Sequence, residues 1–169
     1  RDQLFIDWTS FNCFGRIYVA HEGLNAQMSI PKENWDNVVA LLYKDERFNN
    51  IPFKIAVDGN GKSFYKLIIK VKEKVVADGI NDPDFNASNT GAYLNAEGFN
   101  KAIEDPNTIV VDMRNHYESE VGRFDNAFCP DADTFREELP LVVEHLKGQE
   151  DKKVIMYCTG GIRCEKESA

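Results

Sequence analysis

The residues best placed to do chemistry are Cys158 and Arg163, with Gly160 and Gly161 between them, in the run Lys152-Lys153-Val154-Ile155-Met156-Tyr157-Cys158-Thr159-Gly160-Gly161-Ile162-Arg163-Cys164-Glu165. Val154 to Tyr157 is a short apolar run of the kind that forms a buried strand in a parallel sheet. A tight loop and a helix-forming segment follow, so the thiol stands at the carboxyl end of a strand, where open α/β sheets place their ligand sites. The glycines let the backbone curl until successive N–H groups point at one spot. The following helix adds its positive end. Such a nest lowers the pKa of Cys158 and holds it as the thiolate, the nucleophilic form. Arg163 adds a fixed positive charge beside the loop. A cysteine at a strand end, taken by itself, is a small buried hydrophobe. The combination with Gly-Gly and Arg between strand and helix makes Cys158 a candidate nucleophile.

Two kinds of enzyme cradle a cysteine in a loop of this design. Tyrosine-phosphatase loops hold one residue more between cysteine and arginine, enough to wrap a phosphate. Here Thr159, Gly160, Gly161 and Ile162 separate Cys158 from Arg163. This shorter loop resembles the rhodanese type, which surrounds a persulfide sulfur, and its length argues against a phosphatase.

The elements that must position this loop belong to a chain of 169 residues, 43% hydrophobic, which suits one or two domains with real cores. A net charge of −8 argues against a broad nucleic-acid-coating surface and leaves room for a local basic patch. Cys13, Cys129, Cys158 and Cys164 form no paired CxxC metal ligands and are spread as in a reduced, cytoplasmic protein. No apolar run approaches the ~20 residues needed to span a membrane, and no signal peptide is visible. The chain starts at Arg1 and stops at Ala169, hardly a turn into the last helix, which reads as truncation at both ends.

In the first half, apolar residues at 4, 5, 8, 11 and 14 predict an amphipathic helix ending at Gly15, with Cys13 beside its packed face. Arg16 to Ala20 is a strand, His21 to Asn25 a polar connection, and Ala26 to Ile30 a returning strand. Pro31 opens a helix to about Tyr43. Phe53 to Val57 is a further strand, Asp58-Gly59-Asn60-Gly61 a turn, and residues 63 to 76 a long strand. This order resembles an α+β ferredoxin-like (acylphosphatase-like) domain with its first strand missing. Lys66, Lys70, Lys72 and Lys74 are its basic concentration. They read either as a solvated face or protected edge, or as phosphate contacts for RNA. His21, next to Glu22, reads either as a surface hydrogen-bonding group or as part of an RNA site.

Residues 77 to 91 are rich in turn formers. The expected division is therefore 1–78 for the first domain, 79–90 for a linker, and 91–169 for a second domain incomplete at its C-terminus. Leu94 to Ile103 is a helix with Asn95 as its cap, Thr108 to Met113 a strand, and Asp133 to Lys147 a helix interrupted by Pro140. Strands separated by helices indicate an α/β domain with a parallel sheet.

Asp112-Met113-Arg114, followed by Glu118 and Gly122, resembles the rhodanese strand motif Asp-x-Arg-x-x-x-Glu-x-x-x-Gly, with Arg123 where rhodaneses commonly have His. Three stretches in order, Ala20-His21-Glu22-Gly23-Leu24-Asn25-Ala26, Asp112 to Glu118 and Cys158 to Lys166, are similar to the rhodanese-like tRNA uridine hydroxylases. The resemblance implies oxygen-dependent hydroxylation at C5 of the wobble uridine. It implies tRNA as partner, molecular oxygen as co-substrate, an RNA-facing N-terminal domain, and Cys158 as the essential residue. No flavin, haem or metal-binding motif is evident. Asp112, Arg114 and Glu118 read as scaffolding, with Asp112 and Arg114 pairing with Glu118 or with the loop and so supporting the thiolate. Cys164 reads either as a resolving thiol or as a small residue in the first helical turn.

Two further functions fit the same residues. One is a sulfurtransferase that carries sulfur as a Cys158 persulfide. The other is a non-enzymatic redox or persulfide sensor. In the hydroxylase reading, attack of the Cys158 thiolate at C6 of uracil makes an enolate nucleophilic at C5, with Arg163 or Arg114 as the cation beside its oxygen.

Overall fold

A computed structural model describes residues 1–49, 51, 53–56 and 63–169. It divides into two compact units, Arg1–Val75 and Val76–Ala169.

The first unit contains α1 (Asp2–Ser10), β1 (Phe14–Ala20), β2 (Gly23–Ser29), α2 (Trp35–Leu42) and β3 (Leu67–Val71). The sheet runs β2-β1-β3, with β1 antiparallel to β2 and parallel to β3. Along β1 the side chains alternate: Ile17 is buried, while Phe14 and Arg16 face outward. Ile17 and its partner Ile69 pack under Trp8 of α1 and Val38 and Leu42 of α2, so both helices cover one face of the sheet.

Several boundaries differ from expectation. α1 stops at Ser10 rather than Gly15, because Asn12 turns the chain at φ 54° and the Cys13 N–H bonds back to the Trp8 carbonyl. Gly15 lies inside β1 instead. A Cβ there would stand 2.4 Å from the Gln27 carbonyl oxygen, so the close β1–β2 approach requires glycine. β2 starts at Gly23, making His21-Glu22 a two-residue hairpin turn. The segment 53–56 forms no strand, and Val57 and the expected turn at 58–61 lie outside the described residues. The long strand expected over 63–76 is only Leu67–Val71, the stretch whose apolar residues pair with β1. Beyond it the chain bends, and the Glu22 carboxylate accepts the Val75 N–H at 2.7 Å.

The second unit contains α3 (Ala96–Ile103), β4 (Thr108–Asp112), α4 (His116–Val121), α5 (Phe135–Leu146), β5 (Lys153–Tyr157) and α6 (Ile162–Glu167). β4 and β5 are parallel, with Asp112 opposite Tyr157, and Phe128 bridges Val111 on the other side of β4. Helices cover both faces. Val111 and Met156 pack with Phe135 and Val142 of α5, whereas Val110 and Ile155 pack with Phe99 and Ala102 of α3. Asn95 caps α3 as expected, accepting the Gly98 N–H at 2.8 Å. α5 continues through Pro140 rather than breaking there. Phe135, Glu138 and Val142, spaced i, i+3, i+7, are all buried and hold both halves of the helix on one face. Within this unit Lys166 of α6 and Asp78 form a buried ion pair at 2.9 Å. Among the described residues no helix is long and apolar enough to cross a membrane.

Candidate active site

β5 delivers Cys158 to the end of the parallel sheet, and α6 starts four residues later. Gly161 adopts φ 90°, a left-handed conformation natural to glycine, and this curls the loop. Its N–H then donates to Cys158 Sγ at 3.0 Å. The Cys158 thiol is pulled down to about 5. The largest cause is a hydrogen bond from the Cys164 side chain; burial opposes it, and the backbone N–H groups of Cys164, Gly161 and Arg163 reinforce it. Cys158 is half-buried in a nest of donors that favours its thiolate form.

Glu118 organises this loop. Its Oε1 accepts from Thr159 Oγ1 at 2.6 Å, and its Oε2 accepts from Arg163 Nη1 at 3.1 Å and from the Asn115 N–H at 3.2 Å. The last contact is half of a capping box that starts α4. One carboxylate therefore ties the start of α4 to two residues of the Cys158 loop. Burial pushes the Glu118 carboxyl upward, yet the hydrogen bonds from Thr159 and Arg163 leave it below its ordinary value. Arg163 also donates to the Met113 carbonyl at 3.0 Å.

Asp112 and Arg114 pair with each other rather than with Glu118 or the loop. Arg114 Nε and Nη2 reach the two Asp112 oxygens at 2.9 and 2.8 Å, a bidentate fork, and Nη2 also donates to the Gly122 carbonyl. Asp112 is fully buried and accepts the Tyr157 hydroxyl at 2.8 Å. Motif spacing placed Asp112, Arg114 and Glu118 together, but the geometry separates them into two networks. Both guanidinium groups, of Arg114 and Arg163, are held by carboxylates.

The structure adds groups that no motif announced. Glu138 of α5 is buried, and among the described residues neither of its carboxylate oxygens has a hydrogen-bond partner. Burial raises its pKa to about 8; Arg163 opposes this, while Asp112, Glu167 and Cys158 add to it. Burial also raises Glu167 to about 7. Tyr93 donates to Glu165 and lies within the electrostatic reach of Cys158 and Cys164. The signal available for Glu138 was its place on the apolar stripe of α5; Tyr93, just before the predicted helix from Leu94, offered none.

Of the candidate RNA-binding residues, Lys66, Lys70 and Lys72 are exposed and Lys74 is half-buried. They do not form one continuous stripe, because only Lys70 lies within β3. His21 is exposed at the β1–β2 turn. None of these residues belongs to the Cys158 unit. Among the described residues no group of three or more His, Cys, Asp or Glu is arranged to hold a metal ion.

Comparison with known families matches residues 1–75 to the UPF0176 acylphosphatase-like domain and residues 95–169 to the rhodanese-like domain. Similar curated proteins include the tRNA uridine(34) hydroxylase of Leptospira interrogans, 55% identical over 169 residues, which cover 100% of this chain and 46% of that protein. The Escherichia fergusonii protein of the same name is 55% identical over 170 residues, covering 100% of this chain and 49% of its own length. The Escherichia coli K12 protein of that name is 53% identical over the same shares. The chain spans about half the length of the curated relatives it matches.

Proposed function

We propose that this chain, which matches a UPF0176 acylphosphatase-like domain over residues 1–75 and a rhodanese-like domain over residues 95–169, is part of a cytoplasmic tRNA hydroxylase acting at C5 of the wobble uridine. The observation that carries the chemistry is Cys158 Sγ at the end of β5, accepting the Gly161 N–H at 3.0 Å, in surroundings that pull its pKa down to about 5. The substrate comes from the relatives named tRNA uridine(34) hydroxylase.

Uracil is a poor nucleophile at C5. Addition of Cys158 Sγ at C6 sends the C5=C6 electron pair toward the C4 carbonyl, and the resulting enolate is nucleophilic at C5. One oxygen atom of molecular oxygen, the co-substrate, is transferred to C5, and the other leaves as water with two protons and two electrons from an external two-electron donor. Loss of the C5 proton and departure of the Cys158 thiolate then restore the double bond and leave a hydroxyl at C5. A thiolate with a low pKa suits both ends of this sequence, because it is populated at neutral pH and leaves readily. The nest is needed because it stabilises the sulfur anion before attack and after departure. Glu118 holds Thr159 and Arg163, and through them the curl that aims the amides at Cys158. The base must leave its stack to reach the sulfur, which costs little for an anticodon-loop nucleotide.

The test is nucleoside mass analysis of tRNA from cells lacking the full-length protein, complemented with the wild type or with Cys158→Ser. The expected result is loss of 5-hydroxyuridine-derived nucleosides, restored by the wild type alone. Their persistence in cells lacking the protein, where no other enzyme supplies them, would overturn the proposal. If tRNA sulfur content changed instead, the persulfide sulfurtransferase would be the better account.

A further inference from the structure

The sheet of the first unit has one face covered by α1 and α2 and a second face they do not cover. Strand alternation places Phe14, Arg16 and Tyr18 of β1, Asn25 and Gln27 of β2, and Ile68 and Lys70 of β3 on this second face. At the hairpin end the chain folds back over it: Asn25 Nδ2 donates to the Val75 carbonyl at 3.2 Å, and Val75 is buried. The opposite end is open. There a groove lies among Arg16, Gln27 and Ile68, walled by Phe64, Tyr65 and Lys66.

The chemistry of this groove is unlike the rest of the chain. The protein carries a net charge of −8, yet the outer face carries cations, amides and aromatic rings beside Ile68, with no carboxylate among the described residues placed there. Tyr65 is 86% exposed, the second highest value among the described large hydrophobic side chains, and lies beside two cations. An exposed ring gives a nucleobase a stacking platform, a neighbouring amide can bond a base edge, and Arg or Lys neutralises phosphate. An acidic peptide would use the cations and leave the ring unexplained. A neutral ligand would use the ring and leave the excess of positive charge unexplained.

We propose that this groove binds an unpaired RNA nucleotide. The base stacks on Tyr65 and bonds Gln27, and Arg16 and Lys66 contact the flanking phosphates. The inference rests on the hydroxylase reading for its RNA, a single-stranded loop of the tRNA substrate.

The full-length protein with Tyr65→Ala, and separately with Arg16→Gln, tests this by filter binding of tRNA across a salt series and by steady-state hydroxylation. Both positions are exposed, so circular dichroism should match the wild type. Tyr65→Ala should weaken tRNA binding about tenfold, with little change in affinity for a fully paired RNA duplex. Arg16→Gln should reduce the salt slope by about one. In both variants KM should rise while kcat at saturating tRNA stays unchanged. Binding within twofold of wild type for both variants would overturn the proposal. So would equal losses on tRNA and duplex, which would reduce the groove to a patch of charge. A wild-type protein that hydroxylates tRNA while its variants bind normally loses only the groove; a wild type with no activity on tRNA loses the hydroxylase reading as well.

Discussion

Arg163 and Glu118 are 45 residues apart in sequence and meet at 3.1 Å, closing the Cys158 loop onto the start of α4. Each side chain is one-fifth exposed, and Glu118 holds Thr159 with its other oxygen. Its role is thus to position the loop. Glu118→Ala should lower kcat by on the order of tenfold to a hundredfold, since small misplacements of a reacting group cost that much. KM for tRNA should stay near the wild-type value. Glu118→Gln keeps hydrogen-bonding capacity toward Thr159 and should retain more activity. Steady-state kinetics on the full-length protein decide the matter, and a wild-type kcat in the alanine variant would remove Glu118 from the account.

Cys164 is the largest cause of the low pKa of Cys158. Iodoacetamide labelling of Cys158 should show a midpoint near pH 5 in the wild type. In Cys164→Ala the midpoint should climb by about one unit or more toward that of an ordinary thiol. The backbone N–H groups remain in this variant, so part of the depression should survive. An unmoved midpoint would assign the thiolate to the backbone nest alone.

Glu138 sets a pH dependence of stability. Its pKa is about 8 in the folded protein against an ordinary 4.5, so the folded state holds a proton that the unfolded state has released in between. Stability from this group is full below pH 4.5 and is lost as the pH rises through 8. Glu138→Gln cannot ionise and should therefore match the wild type near pH 4. At pH 9 it should exceed the wild type by roughly 2–4 kcal/mol. Urea denaturation at the two pH values measures this. An equal difference between the proteins at both would contradict it.

What the sequence showed of this site depended on how local the cause was. The Cys158 loop was legible because its strand, glycines and helix start are contiguous and their geometry follows from chain chemistry alone. The Asn95 cap was legible for the same reason. The partners of Glu118 were not, because Asp112, Arg114 and Glu118 share one motif, whereas Arg163 arrives through the pairing of β4 with β5. The strand expected over 63–76 failed past Val71, because strand propensity counts only where a partner strand is present. Gly15 looked like a helix stop, since a glycine required by close strand approach and one required by a left-handed cap look alike in sequence. Pro140 looked like a breaker, and tertiary burial of Phe135, Glu138 and Val142 outweighed it.

Addition of the Cys158 thiolate to C6 of the target uracil is the step on which the proposed reaction depends. The most direct measurement uses the full-length protein and substrate tRNA carrying 5-fluorouridine at the wobble position, where fluorine in place of the C5 hydrogen blocks the final proton loss and traps the adduct. Denaturing electrophoresis and peptide mass analysis should find a covalent RNA–protein species mapped to Cys158 and absent from Cys158→Ser. An enzyme that hydroxylates unmodified tRNA under the same conditions yet forms no such adduct would contradict the account.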